Sequence, residues 1–122
     1  MTMAVIGKKV GRGDIRLVRG DTQRVGGRWR KHNLTTGQIT PVDLTGWAGT
    51  LELRSPGGSE IWYEQACQTM TDDGYALADI PAAAFADDVW ATRRTGQWKV
   101  FVRNSLTGER KTVGWGYWTL SD

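Results

Sequence analysis

The sequence predicts a small all-β domain, and three observations carry that reading. Residues 47–54 alternate Trp47, Gly49, Leu51 and Leu53 with Ala48, Thr50, Glu52 and Arg54, a period of two that lays one face of a strand on a core. Similar alternation returns at 97–103 and 111–120. Turn-forming clusters separate such runs at short intervals: Gly20-Asp21-Thr22, residues 33–37, Ser55-Pro56-Gly57-Gly58, Thr71-Asp72-Asp73-Gly74 and Thr107-Gly108-Glu109. About seven short strands so spaced favour a mostly antiparallel β-sandwich over an open sheet, with a small barrel as the other closed solution. A length of 122 residues suits one such domain.

Taken in order, residues 1–13 are rich in Gly, Lys and Arg and are expected to form an extended basic arm that a partner orders. The sandwich domain is placed at 14–122. Its first strand is expected at 14–19, with Ile15, Leu17 and Arg19 opposing Arg16 and Val18. Residues 23–32 supply a strand through Val25 and Trp29, and a hairpin turn at 33–37 leads into 38–40. Strands follow at 47–54, 61–67 and 75–80. Pro81 suits the first position of a helix, so a short helix is predicted at 81–85, with Asp87-Asp88 ending it or decorating the loop. In 97–103, Trp98, Val100 and Val102 oppose Lys99, Phe101 and Arg103. The last strand sets Val113, Trp115, Tyr117 and Thr119 against Thr112, Gly114, Gly116, Trp118 and Leu120. Its glycines point to a bulge or to close approach of another backbone.

Charge is distributed unevenly. Residues 1–32 hold nine Lys/Arg against two Asp, and residues 33–122 hold seven Lys/Arg against eleven Asp/Glu, so a segment of +7 adjoins a body of −4. A basic arm on an acidic body steers association with an acidic partner or with another copy's body. Nucleic acid is not the expected partner, because the arm carries no helix-turn-helix, zinc-finger or RNA-binding motif. Seven tryptophans suit a thin core with a partly exposed girdle, or an aromatic contact surface.

No group of residues points to a reaction. Cys67 is the sole cysteine and His32 the sole histidine, which argues against a disulfide or a Cys/His zinc site, and Cys67 reads as a small buried apolar residue. The pairs Asp72/Asp73 and Asp87/Asp88 lack the spaced oxygen ligands of a calcium loop and read as solvated turns. Ser55, Ser59, Ser105 and Ser121 have no evident base in His32. The glycines of 11–13 and 26–27 do not make a phosphate loop. The tripeptides Arg12-Gly13-Asp14 and Arg19-Gly20-Asp21 match an adhesion motif, but turn and arm chemistry explains both. No catalytic residue, metal site or cofactor is expected. Nor is a secretory signal or a membrane span expected, since the apolar run at 3–6 is brief and no stretch of about 20 apolar residues follows.

The runs Ile15-Arg16-Leu17-Val18-Arg19-Gly20-Asp21-Thr22, Pro41-Val42-Asp43-Leu44-Thr45-Gly46, Leu51-Glu52-Leu53-Arg54, Ile80-Pro81 and Gly96-Gln97-Trp98-Lys99-Val100 resemble the N-terminal domain of bacteriophage tail and upper-baseplate proteins. The likeness spans roughly 14–120. It implies an immunoglobulin-like sandwich that attaches fibres to the baseplate or serves otherwise as a virion assembly module. The implied partners are other phage structural proteins and copies of the chain itself, and the implied location is the virion, after synthesis in the bacterial host's cytoplasm. Against longer members, a basic arm and the lack of a fibre shaft are what is expected of this chain, which brings in a second reading, capsid decoration or a head–tail accessory protein. A third is a nucleic-acid-associated protein that binds through its arm. In the assembly reading the expected contacts are Val5, Ile6, Lys8, Lys9 and Arg12.

Overall fold

A computed structural model describes residues 11–122 and is all-β. The strands are β1 (Ile15–Val18), β2 (Gln23–Arg28), β3 (Arg30–His32), β4 (Ile39–Pro41), β5 (Ala48–Arg54), β6 (Ile61–Ala66), β7 (Thr69–Met70), β8 (Tyr75–Ile80), β9 (Thr95–Arg103) and β10 (Arg110–Ser121). A five-stranded sheet has the order β1-β10-β9-β5-β6, a three-stranded sheet the order β2-β8-β7, and β3 with β4 forms a separate ribbon. Neighbouring strands are antiparallel except β1, which runs parallel to β10.

The alternation read from the sequence sets the core. Gly49, Leu51 and Leu53 of β5, Trp98, Val100 and Val102 of β9, and Trp118 and Leu120 of β10 point inward from the larger sheet. Val25 of β2 and Ala76, Ala78 and Ile80 of β8 join the same apolar cluster from the smaller one. Connections between strands add Leu44, Phe85 and Trp90. An aromatic chain runs through this interior: Trp62 on Trp118, Trp118 on Trp90, Trp90 on Phe85 and Phe85 on Tyr63, with centroids 4.7–6.2 Å apart. Buried indoles find acceptors. Trp118 Nε1 donates to the Arg54 carbonyl at 3.1 Å and Trp98 Nε1 to the Gly13 carbonyl at 2.8 Å.

Three local expectations change. The single strand expected at 23–32 breaks at Trp29, whose N–H donates to the Gly74 carbonyl and whose carbonyl accepts from Val42, so the chain leaves β8 and pairs with β4 instead. The helix expected at 81–85 is a turn. Phe85 dives into the core at 1% exposure, and its carbonyl accepts from Arg19 Nε at 2.7 Å. The helical segment is a 3-10 turn at Asp88–Ala91, and Asp87 starts it by accepting from the Val89 N–H at 3.0 Å. In β10 the register shifts between Thr112 and Gly114, so Val113 turns inward while Trp115 and Tyr117 remain outward. The bulge and the close approach read from its glycines are both present. A Cβ on Gly116 would collide with the Gly13 carbonyl, and one on Gly27 with the carbonyl of Val113.

Candidate functional site, the outward face of the larger sheet

The register of β1, β10, β9, β5 and β6 brings residues distant in sequence onto one outward face. Glu52 sits opposite Lys99, and Lys99 opposite Trp115; Arg54 lies opposite Gln97, and Gln97 opposite Tyr117. Phe101 lies between Thr50 and Thr112, and Arg103 between Ala48 and Arg110. On the β1 side, Arg16 pairs with Thr119. Trp115 and Tyr117 are 39% and 40% exposed, large values for aromatic side chains on a sheet. Cations are interleaved with the rings: the Arg12 guanidinium lies 4.4 Å from the Tyr117 centroid and Arg110 lies 4.0 Å from that of Phe101.

Arg12, Arg16, Arg54, Lys99, Arg103 and Arg110 outnumber Asp14, Glu52 and Glu64 here, so the face is cationic. Two of its acids are engaged by its own cations. Asp14 accepts both Nε and Nη2 of Arg12 at 2.9 Å and the backbone N–H of Tyr117 at 3.1 Å. The Arg12 bond first, and the Tyr117 N–H second, hold the Asp14 carboxyl below its ordinary value. Glu52 is 5% exposed, although it lies on the solvent side of its strand. Arg54 Nη2 at 2.8 Å and Lys99 Nζ at 3.8 Å pair with it, which allows a carboxylate to stay buried. Beside this group, Arg54, Gly58, Gln97, Trp98, Lys99, Trp115 and Gly116 line a shallow pocket of about 270 Å³. A second cavity, of about 420 Å³, opens between the sheets where Gly26 and Gly27 of β2 approach Val113 and Gly114 of β10.

Of the assembly contacts expected from sequence, Val5, Ile6, Lys8 and Lys9 lie outside the described residues. Arg12 lies within them and forms an isolated bridge with Trp115, while Gly13 N–H donates to the Trp115 carbonyl at 2.9 Å. The end of the expected arm is thus laid along β10. Both adhesion-like tripeptides serve local structure. Arg12 and Asp14 pair with each other, and Arg19 donates to the carbonyls of Phe85 and Asp87. His32 is exposed on β3, and the Ser55 hydroxyl accepts from the Glu60 N–H. Asp73 accepts from the Thr71 hydroxyl in its turn. Burial pushes the Cys67 thiol up to about 11, which leaves it protonated and unreactive near neutral pH. Among the described residues no group of three or more His, Cys, Asp or Glu is placed to hold a metal ion, and no helix is long and apolar enough to cross a membrane.

Sequence reasoning did not single out Glu52, Arg54, Gln97, Lys99, Phe101, Arg110, Trp115 or Tyr117 as a site. The usable signal was the run of aromatic and basic residues on the outward phases of 97–103 and 111–120, which becomes a surface only once β9 and β10 are paired. No family model matches the chain, and no curated protein matches it.

Proposed function

We propose that this chain is a non-enzymatic structural module of a bacteriophage particle, built as an immunoglobulin-like sandwich and working in the tail or baseplate. The observation that carries the reading is the cationic, aromatic outward face of the larger sheet, with the N-terminal run entering along its β1 edge. Aromatic residues and Arg are the side chains enriched at protein contact surfaces, whereas an enzyme needs a preorganised acid, base, nucleophile or metal cluster. Two sheets facing one core, joined by short connections, agree with a sandwich. In this reading the arm, through Val5, Ile6, Lys8 and Lys9, ties the module to a neighbouring subunit, and the outward face, which Arg12 joins by pairing with Asp14 over Tyr117, is its attachment surface. In a symmetric particle a modest contact repeats and gains strength by avidity.

Capsid decoration or a head–tail accessory role is the second reading, favoured by the basic N-terminal segment, which suits clamping onto an adjacent subunit. Purified particles separated into heads and tails, each probed with an antibody to this chain, decide between the two. The chain is expected in the tail fraction. Recovery with heads moves it to the second reading, and absence from both fractions rejects a virion role.

A further inference from the structure

We propose that the pocket beside Trp115 binds a carboxylated sugar, and that the outward face as a whole takes an acidic polysaccharide. The inference rests on reading this face as the attachment surface and is independent of a place in a virion. Its first support is the chemistry of the pocket wall. Trp115 offers a partly exposed indole face, against which the C–H face of a pyranose ring packs. Around it stand the Lys99 ammonium, the Gln97 amide, whose Nε2 donates to the Pro56 carbonyl at 2.9 Å, and the Arg54 guanidinium, held by Glu52 and the Gly58 carbonyl, and the recess of about 270 Å³ has room for one sugar ring.

The second support is charge. Buried Glu52 serves two cations at once, closely to Arg54 at 2.8 Å and loosely to Lys99 at 3.8 Å. One carboxylate between two cations leaves a net positive charge at the pocket, and an anionic ligand group reaching Lys99 would complete an alternating row. Along β9 the next cation on this face is Arg103, four residues on and so roughly 13 Å away. Arg103 stands directly opposite Arg110 across the β9–β10 pair. The Arg110 guanidinium is turned onto the Phe101 ring at 4.0 Å, so the two arginines make a second cationic place on the face rather than an ion-paired one. A chain carrying repeated carboxylates meets both places, whereas a single small anion meets one.

The test uses the full chain at physiological ionic strength with a panel of acidic polymers: polygalacturonate, alginate, hyaluronan and polysialic acid. Methyl-esterified polygalacturonate and oligo(dT) serve as neutral and nucleic-acid comparisons, and binding is read by calorimetry and affinity electrophoresis. At least one acidic polysaccharide is expected to bind; if it is polygalacturonate, the ester should bind at least tenfold more weakly. Trp115→Ala should abolish binding of the best ligand, Trp115→Phe should retain most of it, and Lys99→Gln should weaken it about tenfold, with thermal melts showing that each variant is folded. The proposal is overturned if no polymer of the panel binds, if the ester equals the acid, if Trp115→Ala binds like the parent chain, or if oligo(dT) binds more tightly than every polysaccharide. The head–tail fractionation addresses the virion role separately, so failure of one leaves the other standing.

Discussion

At the residue scale, the most demanding positions are glycines where two backbones nearly touch. Gly96 of β9 is the clearest. A Cβ there would collide with the Arg54 carbonyl and come within 2.7 Å of Trp118 Nε1, the same two groups that hydrogen-bond to each other over β9. The bond satisfies a fully buried indole, so a methyl group at Gly96 both overpacks the site and separates donor from acceptor. Gly57 lies in the turn after β5, where an added Cβ would meet nothing within 4 Å, so Ala fits. Gly96→Ala should therefore lower stability by about 3 kcal/mol or more, and Gly57→Ala should stay within about 1 kcal/mol of the parent. Chemical denaturation of the two variants checks the contrast, and equal midpoints would contradict the packing described around Trp118. Neither role is visible in the sequence, where Gly57 and Gly96 look alike. The difference comes from strands that meet only after folding.

At the scale of elements, period-two alternation makes β5, β9 and most of β10 legible, because a strand with one buried face writes its environment directly into its side chains. Features set by partners are not legible. Glu52 reads as an outward polar residue and is outward, yet its burial depends on Lys99, which is brought opposite it by β9. The break at Trp29 depends on hydrogen bonds to Gly74 and Val42. The displaced helix is instructive, because Pro81 and the alanines after it favour a helix start while Asp87 reads as a stop. Tertiary contacts decide otherwise: Phe85 is drawn into the core, and Asp87 becomes the cap of a 3-10 turn that presents Trp90 to Phe85 at 4.7 Å. If that cap holds the turn, Asp87→Ala should cost about 1 kcal/mol and Asp87→Asn much less, since Asn retains the accepting oxygen. Matching thermal melts of the Ala and Asn variants would remove the cap from the account of this connection.

At the scale of the whole molecule, the boundary read between arm and domain falls beside a structural seam. The Gly-, Lys- and Arg-rich composition of residues 1–13 suggests an arm ending at residue 13, but Arg12 and Gly13 already belong to the edge of the larger sheet. Gly13 donates to the Trp115 carbonyl and accepts from buried Trp98, while Arg12 holds Asp14 and covers Tyr117. The Gly13 carbonyl also approaches Gly116 so closely that no side chain fits there. These contacts connect the entry of the chain to β9 and β10, the two strands that carry most of the outward face. A chain beginning at residue 12 keeps them, and one beginning at residue 14 loses the backbone pairing and leaves the Trp98 indole N–H without its acceptor. An unsatisfied buried donor costs about 1–3 kcal/mol, so the shorter chain should melt several degrees below the longer one. The outward face should respond as well, because removing Arg12 frees one side of Tyr117 and releases Asp14 from its guanidinium partner. Asp14 should titrate closer to its ordinary value when Arg12 alone is removed, in an Arg12→Ala variant of the full chain, which a carboxyl NMR titration measures. Identical melting and an unmoved Asp14 would mean that residues 12 and 13 lie against the sheet without supporting it.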